Sequence, residues 1–164
     1  MSKLKIAVIG TGLVGTFHAE AFFRNPNSEL VAVCDVDKEK VNSVAQSFNC
    51  KAYEDFTKLI NTETLDAISI ATPEQIRIEP AVMSVKKGLK ILLEKPLGRN
   101  LEKIHELVDK IKDHNKIISV NFILHEDPRY KLMKEKVKND EIGNIVSCFA
   151  RRRGNRLSLI HIWR

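Results

Sequence analysis

The sequence predicts an α/β fold, a parallel sheet wound with helices on both faces, and three observations carry that reading. Short β-branched runs alternate with segments of helical period through residues 1–120, the rhythm of a chain built from repeated βα units. Three of the runs, KIAVI at 5–9, LVAVC at 30–34 and AISI at 67–70, read as continuous apolar strands covered on both faces. The first of them ends in a glycine-rich loop that leads directly into a helical segment.

Each element follows in order. After the first strand, Val14, Phe17 and Ala21 define the buried stripe of a helix. The second strand, 30–34, is followed by a stripe of Val41, Val44, Ala45 and Phe48. A weak run at 51–53 gives a third strand, and a short helix is expected over 55–60. The fourth strand, 67–70, leads to a helix over 74–87 that stops at Gly88, the usual left-handed terminus. The fifth strand is 90–93, the next stripe is Leu101, Ile104, Leu107, Val108 and Ile111, and the sixth strand is 117–120.

Beyond Val120 the rhythm changes. Asp127-Pro128 opens a charged amphipathic helix, and Gly143 precedes an expected strand at 145–150. The predicted organisation is a doubly wound domain over 1–122, the truncated start of a second α/β domain over 123–156, and a tail at 157–164. The second stretch is too short for a stable core of its own.

Composition bounds the function. The chain has 164 residues, enough to bury roughly 68–70% of its unfolded surface. It contains no run near the ~20 apolar residues of a membrane span and no signal-peptide pattern, so a soluble cytoplasmic protein is expected. Cys34, Cys50 and Cys148 are odd in number and lack metal-ligand spacing, which argues for reduced cysteines and against a disulfide framework or a metal site. The net charge is +6, but residues 1–150 carry 22 basic and 21 acidic side chains. The excess lies in Arg151, Arg152, Arg153, Arg156 and Arg164, and a nearly neutral body argues against a nucleic-acid partner.

Gly10-Thr11-Gly12-Leu13-Val14-Gly15 fits G-x-G-x-x-G in the context that motif requires, after a buried strand and before a helix. Gly10 permits the tight turn, Gly12 lets the backbone approach a pyrophosphate, and Gly15 lets the helix pack closely on the strand. The pyrophosphate would sit at the helix N-terminus. Asp35, 20 residues beyond Gly15 at the end of the second strand, completes the fingerprint. A carboxylate there accepts ribose hydroxyls and repels a 2′-phosphate, so NAD is expected in preference to NADP. The competing assignment for Asp35 is the cap of the helix beginning near Asp37.

With the glycine loop, Asp35, Ala71-Thr72-Pro73 after the fourth strand and Glu94-Lys95-Pro96 after the fifth, residues 1–154 resemble the Gfo/Idh/MocA oxidoreductases. That family includes glucose-fructose oxidoreductase and inositol dehydrogenases. The resemblance implies an N-terminal Rossmann domain and a second domain carrying substrate residues and the interface of a homo-oligomer. It implies that Gly10, Gly12, Leu13 and Val14 contact the cofactor phosphates, Asp35 the adenosine ribose, and Thr72 and Pro73 the nicotinamide-side ribose. It places Glu94 and Lys95 beside the nicotinamide, with Lys95 as the catalytic residue on the substrate hydroxyl and Pro96 shaping the turn. The implied reaction is hydride transfer between nicotinamide and a secondary alcohol of a sugar or polyol.

The chain departs from the family in detail. Leu124 and His125 stand where many inositol-type members have an arginine pair, and Arg77 stands where they have a histidine after Thr-Pro. The D-x-x-x-H of the second domain, which takes the hydroxyl proton in family members, is missing after Asp127. His18 reads as structural, His105 and His114 as solvated, and His125 as a surface residue. Residues 157–164, LSLIHIWR, resemble a translated sequencing adaptor and are read as non-native, in preference to an apolar strand or an anchor. The expected activity is thus an NAD-dependent dehydrogenase present as an inactive fragment. The rivals are a dinucleotide-binding module with a basic nucleic-acid-contacting tail, and a methyltransferase.

Overall fold

A computed structural model describes residues 2–98, 100–112, 118–149 and 151. The chain divides into two compact units, Met1–Phe122 and Ile123–Arg164. The tail at 157–164, with Arg152, Arg153 and Arg156, lies outside the described residues, as do His114, Ile117 and Ala150.

The first unit holds six strands: β1 (Leu4–Ile9), β2 (Ser28–Cys34), β3 (Lys51–Tyr53), β4 (Ala67–Ile70), β5 (Lys90–Leu93) and β6 (Ile118–Val120). They pair in parallel in the order β3-β2-β1-β4-β5-β6. This is the doubly wound Rossmann arrangement, whose order reverses between β1 and β4 and opens a crevice at the strand ends. Five helices cover it: α1 (Leu13–Arg24), α2 (Lys38–Ser47), α3 (Phe56–Thr62), α4 (Ile78–Lys86) and α5 (Leu101–Ile111).

Side chains alternate across the strands and so feed two cores. Val8 and Val33 pack with Ala19 of α1 and with Val41 and Ala45 of α2. Ile9, Ile70 and Leu93 pack on the other face with Leu59, Ala81, Val85 and Leu107 from α3, α4 and α5. The three cysteines are free. Burial, with Asp35 and Asp55 nearby, pushes the Cys34 thiol up to about 12, so it stays an inert core side chain.

Three helices depart from expectation: in α5 the stripe holds at Leu107, which is buried, while Leu101 and Val108 are exposed. The expected stripe of α1 faces outward: Val14 and Phe17 are exposed, and Gly15 and Ala19 are buried instead. Close packing sets this orientation, because a Cβ on Gly15 would lie 1.7 Å from the Gly10 carbonyl oxygen. The helix therefore offers the sheet its smallest residues. Helix α4 begins at Ile78 rather than residue 74. Pro80 explains the later start, since proline fits the first turn, where the N–H is unpaired anyway, and breaks a helix interior. Gly88, at φ +73°, closes that helix, and Leu89 N donates to Ser84 O at 3.1 Å.

In the second unit, α6 (Ile123–Glu126) precedes α7 (Pro128–Lys138). Asp127 caps α7 by accepting from Arg129 N at 2.9 Å, and Pro128 opens it. None of this unit's described residues is buried. The strand expected at 145–150 does not form over 145–149. A strand needs a ladder partner for its N–H and C=O groups, and none pairs with this stretch among the described residues.

Candidate functional site

The residues just past four strand ends lie in register across the sheet. Gly10 N donates to Cys34 O at 2.7 Å, Ala71 N to Ile9 O at 2.8 Å, Glu94 N to Ile70 O at 3.1 Å, and Asn121 N to Leu93 O at 2.7 Å. Every loop of the crevice thus starts from a ladder position.

Gly10 has φ +92°, and a Cβ there would lie 2.9 Å from the Ala71 carbonyl carbon and oxygen. Only glycine permits both that conformation and that approach. Around Gly12 the Cβ position is open, with nothing within 4 Å. The main chain at Gly12 therefore faces free space at the N-cap of α1, where unpaired N–H groups and the helix dipole favour an anion.

Asp35 is half-buried and tied to that loop. Its Oδ2 accepts from Thr11 N at 2.7 Å and from Thr11 Oγ1 at 3.0 Å, while Oδ1 accepts from Asp37 N at 3.0 Å. Partial burial raises its pKa, but the bonds from Asp37 and Thr11, with Lys40 nearby, outweigh that and hold it below the ordinary value. The cap of α2 is Asp37, which accepts from Lys40 N. Asp35 is left oriented at the crevice rather than spent on the helix.

Across the reversal point, Glu94 is buried, and Asn121 Nδ2 donates to its Oε1 at 2.5 Å. His18 Nε2 lies 3.2 Å from the same oxygen, and His18 Nδ1 lies 2.7 Å from Ser69 Oγ. A neutral ring protonated at Nε2 satisfies the whole chain: Ser69 donates to Nδ1, and Nε2 donates to Glu94. Burial holds His18 below its ordinary pKa, against the pull of Glu94. Lys95 follows with an exposed side chain, its backbone N donating to Glu94 Oε2 at 3.2 Å and its bond to Pro96 cis.

Arg77 is buried beneath these loops. Its Nη1 donates to the carbonyls of Glu94 and Pro96, and its Nη2 donates to the carbonyl of Thr72. Burial pulls its pKa below the usual arginine range, opposed by Glu94 and Glu74. Thr72 is buried beside it, and its Oγ1 has no partner among the described residues.

A cleft of 1220 Å³ runs along these strand ends. Gly10, Gly12, Leu13, Val14, Asp35, Thr72, Pro73, Glu94 and Lys95, the nine residues singled out from the sequence, all line it. Residues 4–122 match the oxidoreductase family with an NAD-binding Rossmann fold, GFO_IDH_MocA. This chain belongs to that family.

Among Gfo/Idh/MocA relatives, an inositol 2-dehydrogenase of Rubrobacter xylanophilus is 30% identical over 143 residues, 86% of this chain and 41% of that protein. The crystal structure of myo-inositol 2-dehydrogenase from Lactobacillus plantarum superposes with a TM-score of 0.82 at 31% identity, over 88% of this chain and 43% of that one. The myo-inositol dehydrogenase of Lactobacillus casei, solved with NAD(H) and myo-inositol, gives 0.81 at 30% identity over 86% and 43%. The chain thus spans about two-fifths of the length of the relatives it matches.

The cleft fits the family's cofactor. Main chain without side chains at Gly12 suits a pyrophosphate, an ionised Asp35 suits ribose hydroxyls, and the unpaired Thr72 Oγ1 is a hydrogen-bonding group with no partner yet. Reading the sequence missed the residues that hold the family motif in place: Thr11, His18, Arg77 and Asn121. His18 is structural, but its partner is the motif glutamate itself, 76 positions away. The available signal for Arg77 was its departure from the family histidine.

Proposed function

We propose that this chain is the cofactor-binding half of an NAD-dependent dehydrogenase acting on a secondary alcohol of a sugar or polyol. The observation that carries the reading is the convergence of the nine motif residues on one cleft at the sheet's reversal point. Gly10, Gly12, Leu13 and Val14 would hold the phosphates, Asp35 the adenosine ribose, and Thr72 with Pro73 the second ribose.

Bound NAD supplies the hydride acceptor. The chain's own contribution is orientation and charge. The Lys95 ammonium donates a hydrogen bond to the alcohol oxygen and stabilises negative charge developing there, while the hydroxyl proton passes to a second group. Glu94, fixed by His18 and Asn121, keeps a carboxylate next to Lys95. Asp35 selects NAD over NADP by repelling a 2′-phosphate. The relatives named above act on inositols, which supports a polyol substrate for the whole protein. Because the chain spans about two-fifths of their length, we propose that it binds NAD without substantial turnover.

Isothermal titration of the 164-residue chain with NAD tests this, alongside a thermal-shift comparison with S-adenosylmethionine. NAD should bind and raise the melting temperature, and Asp35→Ala should weaken binding about tenfold or more, the loss of charge-assisted hydrogen bonds. Stabilisation by S-adenosylmethionine but not NAD would point to the methyltransferase reading. Substantial inositol oxidation by the purified chain would contradict the proposal that it lacks turnover.

A further inference from the structure

We infer that Arg77 is a positioning residue for the Lys95 segment, acting on the nicotinamide side of the cleft and not on the adenosine side. The inference rests on the function proposed above. Three main-chain carbonyls from two different loops converge on one guanidinium: Thr72 O from the loop after β4, and Glu94 O and Pro96 O from the loop after β5. The last two flank Lys95 in sequence, so the segment that carries the reactive ammonium is held on both sides of it. Carbonyls at buried strand ends need donors, and a planar group with five N–H bonds can serve several at once from a fixed fork.

Among the described residues of the first unit, no other side chain shows these hydrogen bonds. His18 and Asn121 hold the Glu94 carboxylate, but neither side chain reaches the backbone around Lys95 in any hydrogen bond among the described residues. Arg77 itself is 4% exposed, which leaves it little access to a ligand. It therefore acts through Thr72 and Lys95. On the adenosine side, Asp35 is held by Thr11 and Asp37, contacts that do not involve Arg77. Loss of Arg77 should free one half of the cleft and leave the other intact.

The test measures affinity for NAD and for ADP, which lacks both the nicotinamide and its ribose, by titration calorimetry on the full 164-residue chain and on Arg77→Met and Arg77→Lys. Circular dichroism melts establish that each variant is folded. Arg77→Met should lose about tenfold in NAD affinity, the scale of a charged hydrogen-bond set, while ADP binding stays within about twofold. Arg77→Lys keeps the charge but loses the fork, so its NAD to ADP ratio should fall in between. It also carries the test if the methionine variant does not fold. Amide hydrogen exchange should rise at residues 94–97 in both variants and stay unchanged in the Gly10–Gly15 loop.

A merely stabilising role would lower the melting temperature without moving the affinity ratio. An unchanged ratio in folded variants therefore overturns the inference while the cofactor reading stands. Failure of the wild-type chain to bind either ligand overturns both.

Discussion

The two halves of the sheet hold their share of the cleft by opposite means. The half built from β1, β2 and β3 relies on missing side chains: Gly10 and Gly15 let main chain touch main chain, and one half-buried carboxylate, Asp35, ties the loop down. The half built from β4, β5 and β6 relies on added ones, with Ser69, Thr72, Arg77 and Glu94 all buried. The first should be intolerant of added atoms and the second of removed ones. A site can therefore be preorganised by backbone geometry on one side and by a buried charge network on the other.

The largest effect is expected from adding a single methyl group. Gly15→Ala would put a Cβ 1.7 Å from Gly10 O, and relief requires α1 to move off the sheet. A loss of about 3 kcal/mol or more is expected by chemical denaturation, at the upper end of overpacking costs. A variant of wild-type stability would break the contrast at its strongest point.

The matching deletion is Glu94→Ala, which leaves His18 Nε2 and the Asn121 amide without their acceptor. It should cost about 2–3 kcal/mol, with Glu94→Gln costing less because an acceptor oxygen remains. Equal losses in the two variants would show that a neutral acceptor oxygen at this position does not hold His18 and Asn121.

A smaller effect should follow pH. His18 has a folded pKa below its ordinary 6.5, so on acidification the unfolded chain takes up the proton first. Stability from this group is complete above 6.5 and declines as pH falls, until the folded ring also protonates. Asp35 has the same sign in a lower window: with its folded pKa below 3.8, its contribution is present above that value and lost only in stronger acid. Between neutral pH and the mid-acid range, the wild-type melting temperature should fall more than that of His18→Gln. Parallel curves would show that the ring titrates as it would in water.

The smallest effect is expected from Gly12→Ala. With nothing within 4 Å of the added Cβ and an ordinary φ of −67°, stability should stay within about 0.5 kcal/mol. NAD affinity should nevertheless fall, because the methyl group enters the space proposed for the pyrophosphate. That separation of folding from binding would sharpen the contrast with Gly15.

Legibility in the sequence followed the same divide. The six strands could be read because parallel strands buried on both faces are apolar runs, and Lys51–Tyr53 was weak for the reason that it is short and at the edge. The glycine loop and Asp35 could be read because backbone requirements leave a fixed spacing. The buried face of α1 could be read only at Gly15, through the motif, since Ala19 carries almost no hydrophobic signal beside Val14 and Phe17. The start of α4 at Ile78 is legible in Pro80, which belongs in a helix's first turn. The partners of Glu94 were beyond reach: His18 and Asn121 come from a helix and a strand end far apart in the chain, and only the strand order brings them together.

The contact between Gly10 and the Ala71–Thr72 backbone sets a fixed gauge at the centre of the crevice. Two main chains meet there with no side chain between them, so the separation of the two loops is set by the backbone and does not depend on side-chain volume. Side-chain changes at the end of β5 can then be made without altering that separation. That contact leaves no room for an added side chain on Gly10.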